Sequence, residues 1–67
     1  MSKRLGKRLR EARLRTGLSQ EELAGKAGLH RTYVGMIERA ERNITLANAE
    51  RFSIALGVKL SDLLRDL

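Results

Sequence analysis

Apolar side chains recur along this chain at three- and four-residue intervals and nowhere alternate over the length of a strand. Leu5, Leu9 and Ala12 fall at i, i+4 and i+7, which predicts a helix from about Lys3 to Arg15 with that stripe buried. Gly17 follows where a helix C-terminus wants a residue tolerant of positive φ. Ser19-Gln20-Glu21-Glu22 has the spacing of a capping box, with Ser19 as N-cap and Glu22 at the third helical position. The second helix then runs to about Lys26 or Ala27, turns Leu23, Ala24 and Ala27 inward, and ends at Gly28. A third fits residues 31–39, with Val34 and Ile37 toward the core. Beyond a polar connection containing Asn43, Thr45 caps a fourth helix whose apolar side is Leu46, Ala49, Phe52 and Leu56. Gly57 stops it, and residues 60–66 make a short last helix with Leu60, Leu63 and Leu64. The expected fold class is all-α, five short helices in one domain over residues 1–67, without linker, repeat or low-complexity segment.

Composition narrows how such a domain is held together. A core built from 67 residues supplies only about 3–5 kcal/mol of net stability, so small domains commonly draw on a disulfide, a metal or a partner. There is no cysteine, and His30 is the sole histidine, which excludes a disulfide framework and a thiolate or multi-histidine metal site. No metal or cofactor is expected, and association with a second copy remains as the common device. With one Phe, one Tyr and no Pro, the core must be aliphatic, which suits small crossed helices. No apolar run approaches the ~20 residues of a membrane span, and the charged start lacks a signal-peptide apolar region. A soluble cytoplasmic protein, with no membrane partner, is the expectation.

The net charge of +6 is unevenly placed. Lys3, Arg4, Lys7, Arg8, Arg10, Arg13 and Arg15 stand against Glu11 alone, so residues 1–15 carry all of it. Concentrated positive charge favours polyanions through counterion release. A merely solvated basic helix satisfies the same pattern, so charge makes a nucleic acid a candidate without establishing one.

The stretch from Gln20 to Glu38 carries more. Two short helices meeting steeply need a small residue at their closest approach, and Ala24 is one. They need a turn residue that accepts positive φ, and Gly28 provides it. They need two aliphatic anchors to seat the second helix, and Val34 and Ile37 are three apart. An ordinary αα-hairpin can share this spacing. The outward residues tip the balance: Arg31, Thr32 and Tyr33 sit in the first turn of the third helix, where a recognition helix meets base edges, phosphates and thymine methyls.

Leu18-Ser-Gln-Glu-Glu-Leu-Ala-Gly-Lys-Ala-Gly-Leu29, with Arg31-Thr-Tyr33, Ile37-Glu-Arg39, Arg42-Asn43 and Ala55-Leu-Gly-Val58, resembles the phage-repressor/Cro-type helix-turn-helix family. Within it the chain is most similar to the controller proteins of restriction–modification systems. The resemblance implies a lambda-repressor-like DNA-binding domain with its helix-turn-helix at helices 2 and 3. It implies a homodimer on double-stranded DNA that binds a pseudo-palindromic operator upstream of its own operon and times endonuclease expression. By the same resemblance Gln20 holds a phosphate and braces the recognition helix, and Arg31, Thr32 and Tyr33 enter the groove, Arg31 suiting a bidentate guanine contact. Arg42 and Asn43 touch the backbone or a base at the edge of the site, and Arg39 joins the DNA-binding set. Arg13 and Glu38 match a buried, structural pair tying the first helix to the third. Three positions depart from the family pattern. His30 stands where Ser or Asp commonly caps the recognition helix, and its imidazole is either a cap or a phosphate contact. Ala40 stands where many relatives have Gly, and Gly35 offers no side chain on a face where some relatives read a base.

At the end of the chain Leu60, Leu63, Leu64 and Leu67 form one helical stripe. Leu60 and Leu63 read first as core, Leu64 and Leu67 as a subunit contact; the resemblance implies a dimer interface made by Val58, Leu60, Leu64 and Leu67. Catalysis finds no nucleophile–base pair or paired acids, so an enzyme is not expected. A rival from another class is a basic module binding a membrane or an acidic protein through residues 1–15, but its apolar stripe is narrow and lacks Trp and Phe. Within DNA binding, an antitoxin or a phage-type repressor shares the module, and activator versus repressor stays open. Glu21, near the start of its helix, is a candidate contact for RNA polymerase.

Overall fold

A computed structural model describes residues 2–65. Five helices follow one another: α1 (Ser2–Thr16), α2 (Gln20–Ala27), α3 (Arg31–Glu38), α4 (Leu46–Leu56) and α5 (Leu60–Leu64). Among the described residues there is no strand, and no helix is long and apolar enough to cross a membrane.

Local signals set most of the boundaries. The α1 stripe Leu5, Leu9 and Ala12 is buried. The capping box forms in full, the Glu22 amide donating to Ser19 Oγ at 3.0 Å and the Ser19 amide to Glu22 Oε1 at 2.9 Å. These bonds hold the Glu22 carboxyl below the usual carboxylate range, the Ser19 backbone bond contributing most. Gly28 ends α2 at φ 71°, a left-handed conformation costly for any residue with a Cβ, and the Leu29 amide closes the turn on the Ala24 carbonyl. Thr45 caps α4 through the Asn48 amide. Ala40, in the place of a turn glycine, takes φ 59° while the Glu41 amide bonds the Met36 carbonyl at 2.8 Å. The exit from α3 therefore keeps the geometry glycine favours, at a cost of roughly 1 kcal/mol in backbone strain.

Leu9, Leu23, Val34, Ile37 and Phe52 are the largest fully buried side chains, and Leu63 of α5 joins them in one core. α3 packs on α2 and α1, whereas α5 packs on α4 and α1. Three expectations need correction. The last helix stops at Leu64, Arg65 being extended, so it is shorter than 60–66. Leu60 is half-buried and stands outside the core cluster that Leu63 enters, because a five-residue helix turns only one narrow side inward. Leu46 is 66 % exposed; it is Asn48, two residues on, that meets α3, donating from Nδ2 to the Tyr33 hydroxyl.

Candidate nucleic-acid interface

The interface starts from how α3 is seated. α2 packs on α3 with Ala24 buried in the core, and Val34 and Ile37 plug the inner side of α3 into it. Its C-terminal end is fixed by charge. Arg13 Nε and Nη2 donate to Glu38 Oε2 and Oε1 at 2.7 and 3.0 Å, and Arg13 Nη1 donates to the Leu18 carbonyl at 3.0 Å. Gln20 Nε2 adds a bond to Glu38 Oε1 at 3.2 Å, so the first residue of α2 grips the last residue of α3. The bond to Glu38 raises the pKa of the Arg13 guanidinium, and burial works against it. Both side chains are nearly closed to water, yet no buried polar side-chain atom among the described residues lacks a partner.

With α3 held at both ends, its first turn faces outward. His30 is the N-cap, its Nδ1 accepting from the Thr32 amide at 3.2 Å. An accepting Nδ1 leaves the proton on Nε2, so the imidazole presents an outward donor. Arg31 and Thr32 are exposed, and Arg31 Nη1 lies 3.8 Å from the equally open Glu21 carboxylate. Tyr33 is more enclosed than Arg31 and Thr32. Its ring stacks on Phe52 at 6.2 Å and its hydroxyl is engaged by Asn48, so it is half-buried and turned toward α4. Arg42 lies over the same ring, 5.7 Å from its centroid, which ties the loop after α3 to the helix it follows. Arg39 makes a two-bond fork to Glu41, at 3.0 and 3.1 Å, and each partner reinforces the charge of the other: the Glu41 carboxyl falls below its usual range and Arg39 rises. Asn43 is exposed in the same loop.

The structure thus gathers His30, Arg31 and Thr32 at one end of α3 and Arg39, Arg42 and Asn43 at the other, with Gln20 behind them bracing Glu38. Sequence reading passed over Met36, which the helical period places on the outward side, four after Thr32 and three before Arg39. That spacing is legible in the sequence. It also passed over Glu41 and Asn48, whose partners are decided only by how the loop folds back.

The residues expected at a subunit contact divide. Leu60 and Leu64 are half-buried on α5, whereas Val58 lines a cleft between α1 and α5 together with Arg8, Ala12 and Arg15. Leu67 lies outside the described residues. Leu46 and Ile54, eight apart on α4, are 66 % and 73 % exposed; periodicity had put Leu46 on the apolar side of the helix and had not singled out Ile54.

This helix pair is a shape that known proteins share. The helix-turn-helix family model matches residues 9–63. The chain belongs to the helix-turn-helix family. It is of the phage-repressor type, a family of DNA-binding transcription regulators rather than a class of enzymes. It is 50 % identical to the control protein C.BamHI of Bacillus amyloliquefaciens over 60 residues, 88 % of this chain and 74 % of that one. The crystal structure of the restriction-modification controller protein C.AhdI from Aeromonas hydrophila superposes with a TM-score of 0.91 at 45 % identity, over 92 % of this chain and 94 % of that one. SinR, a master regulator for biofilm formation solved in complex with DNA, gives 0.85 at 36 % identity, over 90 % of this helix-turn-helix chain and 97 % of its own.

Proposed function

We propose that this chain is a restriction–modification controller, a cytoplasmic homodimer that reads a pseudo-palindromic operator on double-stranded DNA through α3 and regulates its own operon. The observation that carries the reading is the seating of α3. Val34, Ile37 and the Arg13–Glu38–Gln20 bonds hold it so that Arg31 and Thr32 stand outward from its N-terminal turn. A recognition helix reads the major groove chiefly through those residues. The likeness to C.BamHI and C.AhdI, which are named as controllers, supports the choice of biology. Arg31 makes the bidentate guanine contact, and Thr32 and Met36 meet the neighbouring base edges. Gln20, His30, Arg42 and Asn43 hold phosphates or the edge of the site, and Tyr33 aims Arg42.

The second copy docks on the half-buried Leu60 and Leu64 of α5 and on Leu46 and Ile54 of α4, two apolar side chains that a lone protomer leaves in water. Two-fold symmetry then sets the recognition helices about 34 Å apart, on successive turns of the duplex. Glu21 stands open beside Arg31 and is the surface left for RNA polymerase.

Operator selection from a random duplex library tests the reading. The wild-type chain is expected to recover a pseudo-palindrome, and Arg31→Ala to relax it at one symmetric pair of positions, losing about 1–3 kcal/mol of discrimination there. Binding that ignores sequence would leave only the basic α1 as the source of affinity and sink the proposal.

The dimer has its own check. Leu46→Asp with Ile54→Asp touches no buried group, so far-UV circular dichroism should stay as in the wild type. Sedimentation should show monomers, and operator affinity should fall at least ~100-fold as the paired half-sites uncouple. A doubly substituted chain that still sediments as a dimer places the interface elsewhere.

A further inference from the structure

The outward side of α3 contains a gap. With Val34 and Ile37 turned inward, the helical period puts Thr32, Met36 and Arg39 on the far side, flanked by Gly35. Gly35 has no side chain to present, yet it is buried. Arg39 covers it. A Cβ built on Gly35 would lie 2.9 Å from Arg39 Nη1 and 3.5 Å from its Cζ and Nη2. The guanidinium therefore occupies the space that any side chain at position 35 would fill.

Its orientation is set as well. Nε and Nη2 are bound side-on by the two oxygens of Glu41, so these bonds leave the donors of the terminal Nη1/Nη2 edge for a ligand. That edge is the fork that matches O6 and N7 of guanine in the major groove.

We infer that Arg39, lodged over Gly35, reads a base in place of a side chain at position 35, and that Glu41 makes that reading selective by holding the other edge of the guanidinium. The inference rests on the proposed DNA-reading role of α3. A loose arginine at this surface is served equally well by any phosphate, and phosphate contacts carry no sequence information. A clamped one has a fixed direction, and the Glu41 carboxylate beside it repels phosphate oxygens. As an exposed ion pair the fork adds little to stability, so its effect belongs in discrimination.

The experiment measures affinity for the selected operator and for a random duplex over a salt series. It compares the wild type with Glu41→Gln, Gly35→Ala, Arg39→Ala and the Gly35→Ala/Arg39→Ala double variant. Glu41→Gln should tighten random-duplex binding about 5- to 10-fold and steepen the salt slope by about 0.9 for each phosphate contact Arg39 gains. Operator affinity should rise less, so the ratio of operator to random binding falls. Gly35→Ala should keep its helix, because alanine is the better helix former, and lose operator affinity about 10-fold. The double variant should be no weaker than Arg39→Ala alone, since both substitutions empty the same contact.

A Glu41→Gln chain with an unchanged operator-to-random ratio would reveal a plain charge effect and overturn the inference. So would losses from Gly35→Ala and Arg39→Ala that multiply. A wild-type chain that selects no operator overturns the DNA-reading assignment and this inference together, which separates the two failures.

Discussion

Replacing Glu38 with alanine is expected to leave the domain largely unfolded at room temperature. The side chain is 4 % exposed, and its carboxylate takes two bonds from Arg13 and one from Gln20. Without it the Arg13 guanidinium, 10 % exposed, keeps only the Leu18 carbonyl. Breaking one side of a buried pair costs about 3–5 kcal/mol, because the other charge stays buried and uncompensated. A helical domain of this length has about that much to lose. Urea or thermal melts followed by circular dichroism give the answer, and a Glu38→Ala chain melting within a few degrees of the wild type would refute the account. Glu38→Gln keeps the shape and one acceptor oxygen, so it should fall between the two. Glu38→Leu combined with Arg13→Met, which removes both charges together, should recover much of the loss. Recovered stability need not bring back operator binding, because the pair also fixes the angle at which α3 leaves α1.

How much of this was legible depends on the distance over which each feature is decided. The Ser19 and Glu22 capping box, the turn at Gly28 and the inward Val34 and Ile37 follow from neighbours within one or two helical turns, and they lie where the pattern put them. The Arg13–Glu38 pair joins residues 25 apart, and no local rule selects those two from among 14 basic and 8 acidic side chains. Resemblance to a family found it; periodicity could not. The same limit explains Leu46, which periodicity places on the apolar side of α4 and which is nevertheless 66 % exposed. Tyr33 packs on Phe52 and bonds Asn48, contacts between α3 and α4 that no pattern within one helix specifies. The fork between Arg39 and Glu41 was invisible for another reason: residues two apart do not face each other in a helix, and only the left-handed turn at Ala40 brings them together.

Gly6→Ala carries the second large effect, and it runs against helix propensity. In an exposed helix interior the change should stabilise by about 0.5–1 kcal/mol, and Gly25→Ala in α2, with nothing within 4 Å of the added carbon, is expected to do so. Gly6 is different because α1 passes directly against the end of α3. A Cβ there would fall on the Ile37 carbonyl oxygen and lie 2.8 Å from that of Glu38. These are backbone atoms at the C-terminus of the recognition helix and cannot rotate aside, so α1 and α3 must separate. The net loss should be about 3 kcal/mol, with the helix gain already subtracted. For a domain of this size that lowers the melting temperature by roughly 12–24 °C, while Gly25→Ala raises it by a few degrees. Parting the two helices also pulls Glu38 from Arg13 and moves Arg39 and the loop behind it, so operator binding should weaken even at temperatures where the variant remains folded. If Gly6→Ala melts at or above the wild type, the close approach of α1 to α3 does not exist as described. The lock that aims the recognition helix would then rest on the ion pair alone.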